Sequence, residues 1–509
     1  MRGGKGARPG PGARSAAKRG RTLWVLDCYG YGMALKKWPP SPAEGEFLFE
    51  IDETPLEETL TSFGGLPLFL RTARSLGVGA SVKRNVRIKQ RRRGLDEAGY
   101  IESFLALNAV GGECVDDFQV LREDIGMAAM LGYEPPSPEA ARTFLYQFHD
   151  EETIAKARQQ QLELKRTSVI PGESLALTGL AEVNRDVVGE LGRRCPDQKI
   201  ATVDVDATII ESHKRQARPT YQGPTGYQPL LALWAEMDVV LADQFREGNT
   251  PAIQEPLAVA QRAFEALPET VAERYFRGDS ACYENELLDW LRDDKRETGP
   301  KGRIGFAVSA PLRKPLKDEI LKLESYDWQP YREDSEALWD CAVVDYRPQE
   351  KGHREPLRYL AMRVKKKQGE LFADGSEAKH YALATNLWDW EPKRLLAWHR
   401  EKAGSIEALH DVLKNELAAG VVPCGRFGAN AAWLRLSVLT YNVLTAMKRL
   451  ALPPDLLRAR PKRLRFLVFA QPGKFVRHAR QLTLRLMRAW RRFSNWVWAF
   501  EQLPLAAPS

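Results

Sequence analysis

The sequence predicts an α/β protein, with a core of alternating strands and helices that follows a mainly helical region and precedes a basic C-terminus. Apolar residues between Leu56 and Leu70 recur at three- and four-residue spacing, which indicates helices, and helical patterns continue to about residue 166. From residue 198 onward, short strand-like apolar runs joined by short turns replace this pattern. The composition, 44% apolar and 28% charged, is that of a globular protein long enough for several domains.

The core elements are predicted in a defined order. Strands are predicted at 200–210, 227–235 and 239–245, then a helix at 252–266, a strand at 271–276, a helix at 284–291 and a strand at 303–309. Three strands, helix, strand, helix, strand is the order of the ribonuclease-H-like fold, although other α/β domains begin in the same way. In the ribonuclease-H-like fold, the first strand and the end of the fourth bring carboxylates together at one edge of the sheet.

The alternation stops after residue 310. Apolar stretches separated by long charged loops indicate a β-rich insertion, helices resume near residue 394, and an arginine-rich amphipathic helix is predicted from Lys474 to Phe500. The predicted domains are a disordered basic tail (1–22), a mainly helical DNA-binding domain (23–197), the first part of a ribonuclease-H-like core (198–310), the β-rich insertion (311–392), the final core helices (393–450) and a basic helical C-terminal segment (451–509).

Positive charge is concentrated at the two ends of the chain. The net charge is +8, of which residues 1–22 contribute +7 and residues 451–509 contribute +10, so the middle carries about −9 (8 − 7 − 10). This distribution is expected if the ends contact a polyanion while the centre holds acidic metal ligands. Basic ends that only aid solubility are the alternative.

Two basic segments contain the candidate DNA-binding residues. Residues 83–93 hold seven cations in eleven positions, which favours contact with a DNA backbone over a solvated helix face. In the C-terminal helix, arginines interleaved with apolar residues are expected to contact phosphates and so to supply affinity rather than sequence choice. The residues are Lys83, Arg84, Arg87, Lys89, Arg91, Arg92, Arg93, Arg477, Arg480, Arg485 and Arg488.

Several classes of protein are not indicated. The six cysteines are scattered singly and no pair has CxxC spacing, so neither a zinc site nor a disulfide framework is predicted. No run reaches eighteen apolar residues, and the basic N-terminus lacks the apolar stretch of a secretory signal. A reducing cytoplasm and no membrane association are therefore expected.

Four acidic residues and one lysine are the candidates for chemistry. Asp204 and Asp206 project from one face of a Val/Ile strand, where they require a cation, either a metal ion or a nearby Arg or Lys. Asp279 follows the fourth strand, where an N-cap role is the alternative. Glu407 shares a helix face with Lys414, seven residues later; an intrahelical salt bridge would prefer a spacing of four.

Together these segments resemble bacterial insertion-sequence transposases of the DDE class, in the subset with a β-rich insertion before the catalytic Glu. By this resemblance Asp206, Asp279 and Glu407 are the catalytic acids, with Asp204 as an outer metal ligand and Lys414 as the helper lysine. The tyrosine of the family's Tyr-Arg-Glu-Lys signature is not matched in this sequence. The arginine of the signature corresponds to Arg400 or, as a lysine, to Lys402, and both residues are expected to bind DNA. The carrying segments occur in family order and span most of residues 50–450: Asp204–Thr208, Gly226–Leu231, Arg246–Asn249, Arg277–Ser280, His399–Lys414 and Gly425–Trp433.

The resemblance implies a transposase that binds terminal inverted repeats, cleaves the element ends and joins the 3′-hydroxyl to target DNA. It also implies two Mg²⁺ ions, for which Mn²⁺ can substitute, held by the three acids. Double-stranded DNA is the expected partner, a homodimer is expected in the synaptic complex, and the location is expected to be the nucleoid in the cytoplasm. Two alternatives stay open: a ribonuclease-H-like nuclease without strand transfer, and a non-catalytic DNA-binding protein derived from a transposase.

Overall fold

The computed structural model describes residues 52, 54, 58–88, 94–348, 356–367 and 371–504. The chain divides into two compact units, Met1–Glu58 and Thr59–Ser509, and all helices and strands named below belong to the second. The predicted basic tail at 1–22 and the cations Lys89, Arg91, Arg92 and Arg93 lie outside the described residues.

The described residues from 67 to 194 are mainly helical, as the apolar spacing predicts. Ser137 illustrates how these helices begin: its side chain accepts a hydrogen bond from the backbone N–H of Ala140 (3.2 Å), and proline follows it at the first helical position. The elements are β1 (Leu60–Thr61), α1 (Pro67–Ser75), α2 (Val78–Asn85), α3 (Glu97–Val110), α4 (Phe118–Glu123), α5 (Ile125–Leu131), α6 (Pro138–Tyr146), α7 (Glu151–Glu163) and α8 (Leu175–Arg194).

Strands and helices then alternate close to the predicted positions. Up to residue 321 they are β2 (Ile200–Ala207), β3 (Ile210–Glu211), β4 (Arg218–Pro219), β5 (Thr225–Tyr227), β6 (Leu230–Trp234), β7 (Val239–Gln244), α9 (Pro256–Glu265), β8 (Glu273–Gly278), α10 (Asn285–Arg292), β9 (Gly305–Ala310) and α11 (Lys314–Leu321). From there to residue 450 they are β10 (Gln329–Glu333), β11 (Ala337–Val344), β12 (Arg358–Lys366), β13 (Ala378–Thr385), α12 (Pro392–Arg400), α13 (Lys402–Glu416) and α14 (Phe427–Leu450).

A nine-stranded mixed sheet organises these elements, in the order β10-β11-β12-β13-β9-β8-β2-β6-β7. The strand β2 is antiparallel to β6 and parallel to β8, and β8 is parallel to β9. The four strands of the insertion continue this sheet, because β13 pairs with β9 in antiparallel register, with Ala382 opposite Ala310. The insertion is therefore an extension of the central sheet, and the fold is mixed α/β.

Helix α14 is the element that joins the helical region to the sheet. Every residue from Phe427 to Lys448 is buried, so the helix has no solvent-facing side over most of its length. It packs against α1, α3, α6 and α8 on one side and against β7 on the other. Among the described residues, no helix combines the length and apolar character needed to cross a bilayer.

The C-terminal segment differs from the predicted long helix. Beyond α15 (Pro461–Leu464), residues 474–486 belong to a β-hairpin of β14 (Gly473–His478) and β15 (Gln481–Leu486). Within the predicted helix from Lys474 to Phe500, only the residues of α16 (Phe493–Gln502) are helical. The prediction of a helix from Lys474 is wrong because Leu482, Leu484 and Leu486 alternate with polar residues, which is a strand period. The hairpin pairs with β1 through Lys474 and Gly473, which ties the C-terminus to the start of the helical region.

Candidate active site

The parallel pairing of β2 with β8 places Asp206 and Asp279 at neighbouring strand ends. Val205 is the Cα partner of Gly278; Asp206 is the next residue of β2, and Asp279 is the first residue after β8. A side chain at Gly278 would meet Cys282, since a Cβ built there lies 2.5 Å from the Cβ of that cysteine. The chain can therefore turn sharply after β8, and Asp279 caps the turn by accepting the Ala281 N–H (3.0 Å).

Asp204, two residues before Asp206, has a different environment. It is fully buried and forms a two-pronged ion pair with Arg277, whose Nε and Nη2 lie 2.6 and 2.9 Å from its two oxygens. The Ser405 hydroxyl donates a further hydrogen bond to it. Both carboxylate oxygens are thus engaged, so the prediction that Asp204 is an outer metal ligand does not fit this geometry. For Asp204, the structure contains the alternative to a metal ion, an ion pair with an arginine.

Arg277 also fixes the junction between α12 and α13. Its Nη1 donates to the Trp398 carbonyl (2.5 Å) and lies 3.2 Å from Glu401. His399, beside this junction, donates from Nε2 to the Gly278 carbonyl (3.1 Å), and burial lowers the pKa of its imidazole to about 4, so the ring is neutral near pH 7. One buried arginine therefore holds α13 against the strand ends that carry the acids.

Lys402, the first residue of α13, extends into the acid pair. Its Nζ lies 3.2 Å from Oδ2 of Asp206, and the residue is only 8% exposed. The prediction that Lys402 contacts DNA is therefore wrong for this structure, because its ammonium is buried on a carboxylate. The family signature marks Lys402 in the sequence as a possible counterpart of its arginine, but the partner, Asp206, follows from the tertiary arrangement alone.

The neighbouring acid Asp206 affects the pKa of Asp279. Burial and the nearby Asp206 carboxylate raise the pKa of Asp279, while Lys402 acts in the opposite direction. When the pKa of a carboxyl group is higher in the folded state than in the unfolded state, its ionised form lowers the free energy of unfolding. The pair therefore favours an additional cation, and Lys402 supplies only one positive charge.

An open cleft of about 720 Å³ lies beside the acids. Its walls come from the end of β2, the small sheet β3-β5-β4, the segment before α9, the turn after β8, and α13. The lining residues are Asp206, Ala207, Thr208, Ile209, Glu211, Tyr221, Gln222, Gln228, Pro251, Ala252, Ile253, Asp279, Ser280, Ala281 and Lys414. Glu211 and the small sheet are members of this site that the sequence pattern did not single out.

Glu407 is the predicted acid that the structure does not bring into the cleft lining. It is exposed on α13, two turns before Lys414, which does line the cleft. Across the described residues, no group of three or more His, Cys, Asp or Glu side chains is arranged to hold a metal ion. Asp206 and Asp279 therefore line one cleft, whereas Glu407 does not line it.

The donor set of the cleft nevertheless fits a hard divalent cation in part. Such ions prefer carboxylate oxygens, and Asp206 and Asp279 present two carboxylates at adjoining strand ends. The Lys402 ammonium already places one positive charge on Asp206. A third carboxylate would have to approach for a full ligand set.

The remaining predicted DNA-binding residues have mixed environments. Arg84 is paired with Asp186 (2.7 Å) and Lys83 is 4.0 Å from Asp96, while Arg87 is exposed. Arg400 is half-buried, with its guanidinium 4.6 Å from the centre of the Trp339 ring. By contrast, the four predicted arginines of the C-terminal segment are all exposed: Arg477, Arg480, Arg485 and Arg488.

The Lys402→Met variant tests the pairing of Lys402 with the acids. Without metal at pH 7, we expect a loss of about 1–3 kcal/mol in the free energy of unfolding, because a buried carboxylate loses its partner. Calorimetric titration with Mn²⁺ should show tighter binding than in the wild type, because the ion no longer has to displace the ammonium.

Lys448→Met is the matched control, since Lys448 is equally buried and lies 3.5 Å from Asp238, away from the cleft. It should lose stability without a change in Mn²⁺ affinity. Unchanged Mn²⁺ binding in the Lys402 variant would contradict the competition between lysine and metal.

Comparison with known proteins identifies a family. The family model described as Transposase DDE domain group 1 matches residues 57–505. Among solved structures, the cryo-EM structure of a piggyBac transposase synaptic complex with hairpin DNA is similar, with 11% sequence identity, coverage of 80% of this chain and 79% of that chain, and a TM-score of 0.41. No curated protein matches the chain.

Proposed function

Because the chain belongs to the family Transposase DDE domain group 1, matched from residue 57 to residue 505, we propose that it cleaves the ends of a DNA element and joins them to target DNA. The family comprises metal-dependent enzymes that cleave DNA. The observation that carries the proposal for this chain is the pair Asp206 and Asp279, at adjoining strand ends and in one cleft. We assign these two acids as metal ligands.

The strand order supports a ribonuclease-H-like core. In β7-β6-β2-β8-β9, the first strand of the core (β2) is central. On one side lies the second strand (β6), antiparallel to β2 and to the third strand (β7) beyond it, and on the other side lie the fourth and fifth strands (β8 and β9), parallel to β2. This arrangement brings the ends of the first and fourth core strands together, which is where Asp206 and Asp279 lie. The insertion β10–β13 then occupies the free edge of β9.

The residues have distinct roles in this proposal. Two Mg²⁺ ions, or Mn²⁺ in their place, would activate the attacking oxygen and stabilise the leaving oxygen of the phosphodiester. Asp206 and Asp279 hold and orient the ions, and Glu407 is proposed as the third ligand, brought in when α13 adjusts. Lys414, in the cleft wall, is placed to bind a phosphate of the DNA. Asp204 is assigned as the ion-pair partner of Arg277, which contacts the junction between α12 and α13.

The exposed hairpin of β14 and β15 is proposed as a DNA contact. No ion pair joins Arg477, Arg480, Arg485 or Arg488 to any residue that the structure describes, so their charges remain available. Ala479 and Arg480 form the turn of the hairpin, and both have positive φ (46° and 67°). Such a two-residue turn connects the strands tightly, and the Arg480 side chain is exposed to solvent. A two-stranded ribbon of this kind fits a DNA groove, with arginines against the phosphates.

Substituting these four arginines with glutamine should weaken binding to element ends and to unrelated DNA alike. Each lost phosphate contact should flatten the dependence of log K on log salt by about 0.9.

Deleting residues 455–509 is a poorer test, because Leu456, Phe469 and Trp496 are buried in the core. The control is a variant with glutamine in place of Arg142 and Arg193, which form ion pairs with Asp116 and Glu190. It should show the same dependence of log K on log salt as the wild type. An unchanged slope in the hairpin variant would exclude the phosphate role.

The proposed reaction is tested with DNA that flanks the reading frame. Labelled duplexes carrying the flanking inverted repeats are incubated with Mg²⁺ and a plasmid target, and the expected products are nicked ends and end–plasmid joints. Synapsis of two ends implies a dimer or larger assembly on DNA. Cleavage without joints would favour a nuclease, and binding without cleavage would favour a non-catalytic DNA-binding protein.

A further inference from the structure

The segment between β7 and α9 forms one wall of the cleft. Three of its residues, Pro251, Ala252 and Ile253, line the cleft together with the two acids, and Ile253 is 43% exposed. Apolar side chains of this kind bind neither a metal ion nor a phosphate, so they act on a DNA strand through their shape alone. We call residues 249–255 the wall segment.

Arg246 lies three residues before the wall segment and is buried without an acidic partner. It is fully buried, and its Nε donates to Oε1 of Gln244, the last residue of β7 (2.7 Å). Among the described residues, no carboxylate forms an ion pair with its guanidinium. Burial lowers the pKa of this guanidinium to about 10, so its charged form lowers the free energy of unfolding.

The Arg246 guanidinium connects the wall segment to the central sheet. Its Nη1 donates to the carbonyl of Ala252 (3.4 Å) and its Nη2 to the carbonyl of Glu255 (3.5 Å), on either side of Ile253 in the chain. Hydrogen bonds of this length are weak, so they add little to stability. They do fix where the wall segment lies relative to the end of β7, because one rigid, planar group contacts all three partners.

The wall segment contains two further features that cost stability. Glu255 has a φ of 52°, in the left-handed region that suits glycine, and a proline follows it. Oδ1 of Asn249 and the Thr250 hydroxyl are buried and have no hydrogen-bond partner among the described residues. Strain and unpaired polar groups that accumulate beside a cleft indicate a segment whose conformation serves function more than stability.

We propose that Arg246 is a positioning residue for DNA cleavage: its guanidinium holds the wall segment in the conformation that places the DNA strand against Asp206 and Asp279. This role rests on the proposed function and adds to it a residue that contacts neither metal nor DNA. A wall that moves by about 1 Å would misplace the phosphodiester and slow cleavage by about 100-fold without weakening the metal site.

The test compares Arg246→Met with the wild type in single-turnover cleavage of labelled end DNA at saturating DNA and Mg²⁺. We expect the rate to fall by about 100-fold, while the affinities for Mn²⁺ and for end DNA stay unchanged. The midpoint of chemical denaturation should stay at or above that of the wild type, because no acid loses its partner. Arg246→Lys keeps the charge but cannot contact three acceptors at once, so it should be slow as well.

Hydrogen–deuterium exchange measures how firmly the wall segment is held, independently of activity. The N–H groups of Thr250 and Gln254 bond to the carbonyls of Glu247 and Pro251. In Arg246→Met, peptides that cover the wall segment should exchange about fivefold faster or more, which corresponds to the loss of one hydrogen bond.

Arg296→Met is the matched control. Arg296 is also buried, has no ion pair among the described residues, and donates to backbone carbonyls that include those of Trp290 (2.9 Å) and Gly302 (2.7 Å). None of its carbonyl partners lines the cleft. Because these hydrogen bonds are short, the loss of Arg296 should lower the denaturation midpoint and leave the cleavage rate of the folded protein unchanged.

Cleavage at the wild-type rate by Arg246→Met or by Arg246→Lys would overturn the positioning role, as would unchanged exchange in the wall segment. A midpoint lowered as far as in Arg296→Met, with a wild-type cleavage rate, would mean that Arg246 only stabilises the fold. If the wild type binds end DNA but does not cleave it, the proposed function fails. If the wild type cleaves and the Arg246 variants match it, the positioning role alone fails.

Discussion

Asp206→Asn and Asp279→Asn should each lower metal-dependent DNA cleavage by about a thousandfold or more. An amide keeps the shape of the side chain and removes the charge that holds the metal, which is worth several kcal/mol in the transition state. Binding to end DNA should change little, because the proposed phosphate contacts lie on other residues. Cleavage of labelled end DNA and its binding in a gel-shift assay measure the two effects separately.

The two variants should differ in stability. Asp279→Asn should be as stable as the wild type or more stable, because burial and Asp206 raise the pKa of Asp279 and penalise its charged form. Asp206→Asn removes the partner of Lys402 and should lose stability. A loss of activity with retained or increased stability in Asp279→Asn is the pattern expected of an active-site acid.

Asp340→Asn is the matched control for both, since Asp340 is about as exposed as Asp206 and is paired with Arg363 in the insertion. It should remain active. Glu407→Gln should be inactive if α13 brings Glu407 into the site. If Glu407→Gln cleaves normally, Glu211, which already lines the cleft, becomes the candidate for the third acid.

Arg435→Met should cost about 3–5 kcal/mol of the free energy of unfolding. Arg435 is fully buried in α14, with Asp243 2.9 Å from its Nη2 and Glu173 within 3.0 Å. Burial alone would lower the pKa of its guanidinium, but the two acids raise it above its usual value. Methionine fills a similar volume, leaves Asp243 without a counter-charge and leaves Glu173 with only the more distant Arg262, at 3.6 Å. Chemical denaturation followed by tryptophan fluorescence measures the loss.

Arg142→Met is the comparison for Arg435. Arg142 also pairs with two acids, Asp116 and Glu139, but those acids are exposed, so its loss should cost less than about 1 kcal/mol. Since total stabilities are only about 5–15 kcal/mol, the Arg435 variant should unfold at a clearly lower denaturant concentration. Equal costs for the two variants would contradict the importance assigned to the buried cluster.

The periodicity of the core made most of its elements predictable. The predicted strand at 200–210 corresponds to β2 and the predicted helix at 284–291 to α10, because apolar period and flanking turns agree there. The hairpin β14–β15 was missed because its turn, Ala479-Arg480, lacks the glycine or asparagine that marks such turns. Without this signal, its arginines and leucines also fit a helical pattern.

The site could be predicted only where strand topology determines it. Asp206 and Asp279 are neighbours because β2 and β8 are parallel and in register. The different roles of Asp204 and Asp206 could not be predicted, because the two side chains point from the same face of one strand. Only the tertiary structure gives them different partners: Arg277 pairs with Asp204, and Lys402 pairs with Asp206. The family resemblance suggested Asp206 as the acid, and the ion pairs supply a physical reason for the distinction.

Anomalous diffraction from crystals of the protein bound to end DNA and Mn²⁺ tests the central claim most directly. We expect two Mn²⁺ peaks about 3.5–4 Å apart, contacted by Asp206 and Asp279, with Lys402 withdrawn from Asp206. Mn²⁺ bound elsewhere while Lys402 stays on Asp206, or no Mn²⁺ at concentrations that support cleavage, would contradict the assignment of these two acids as the active site.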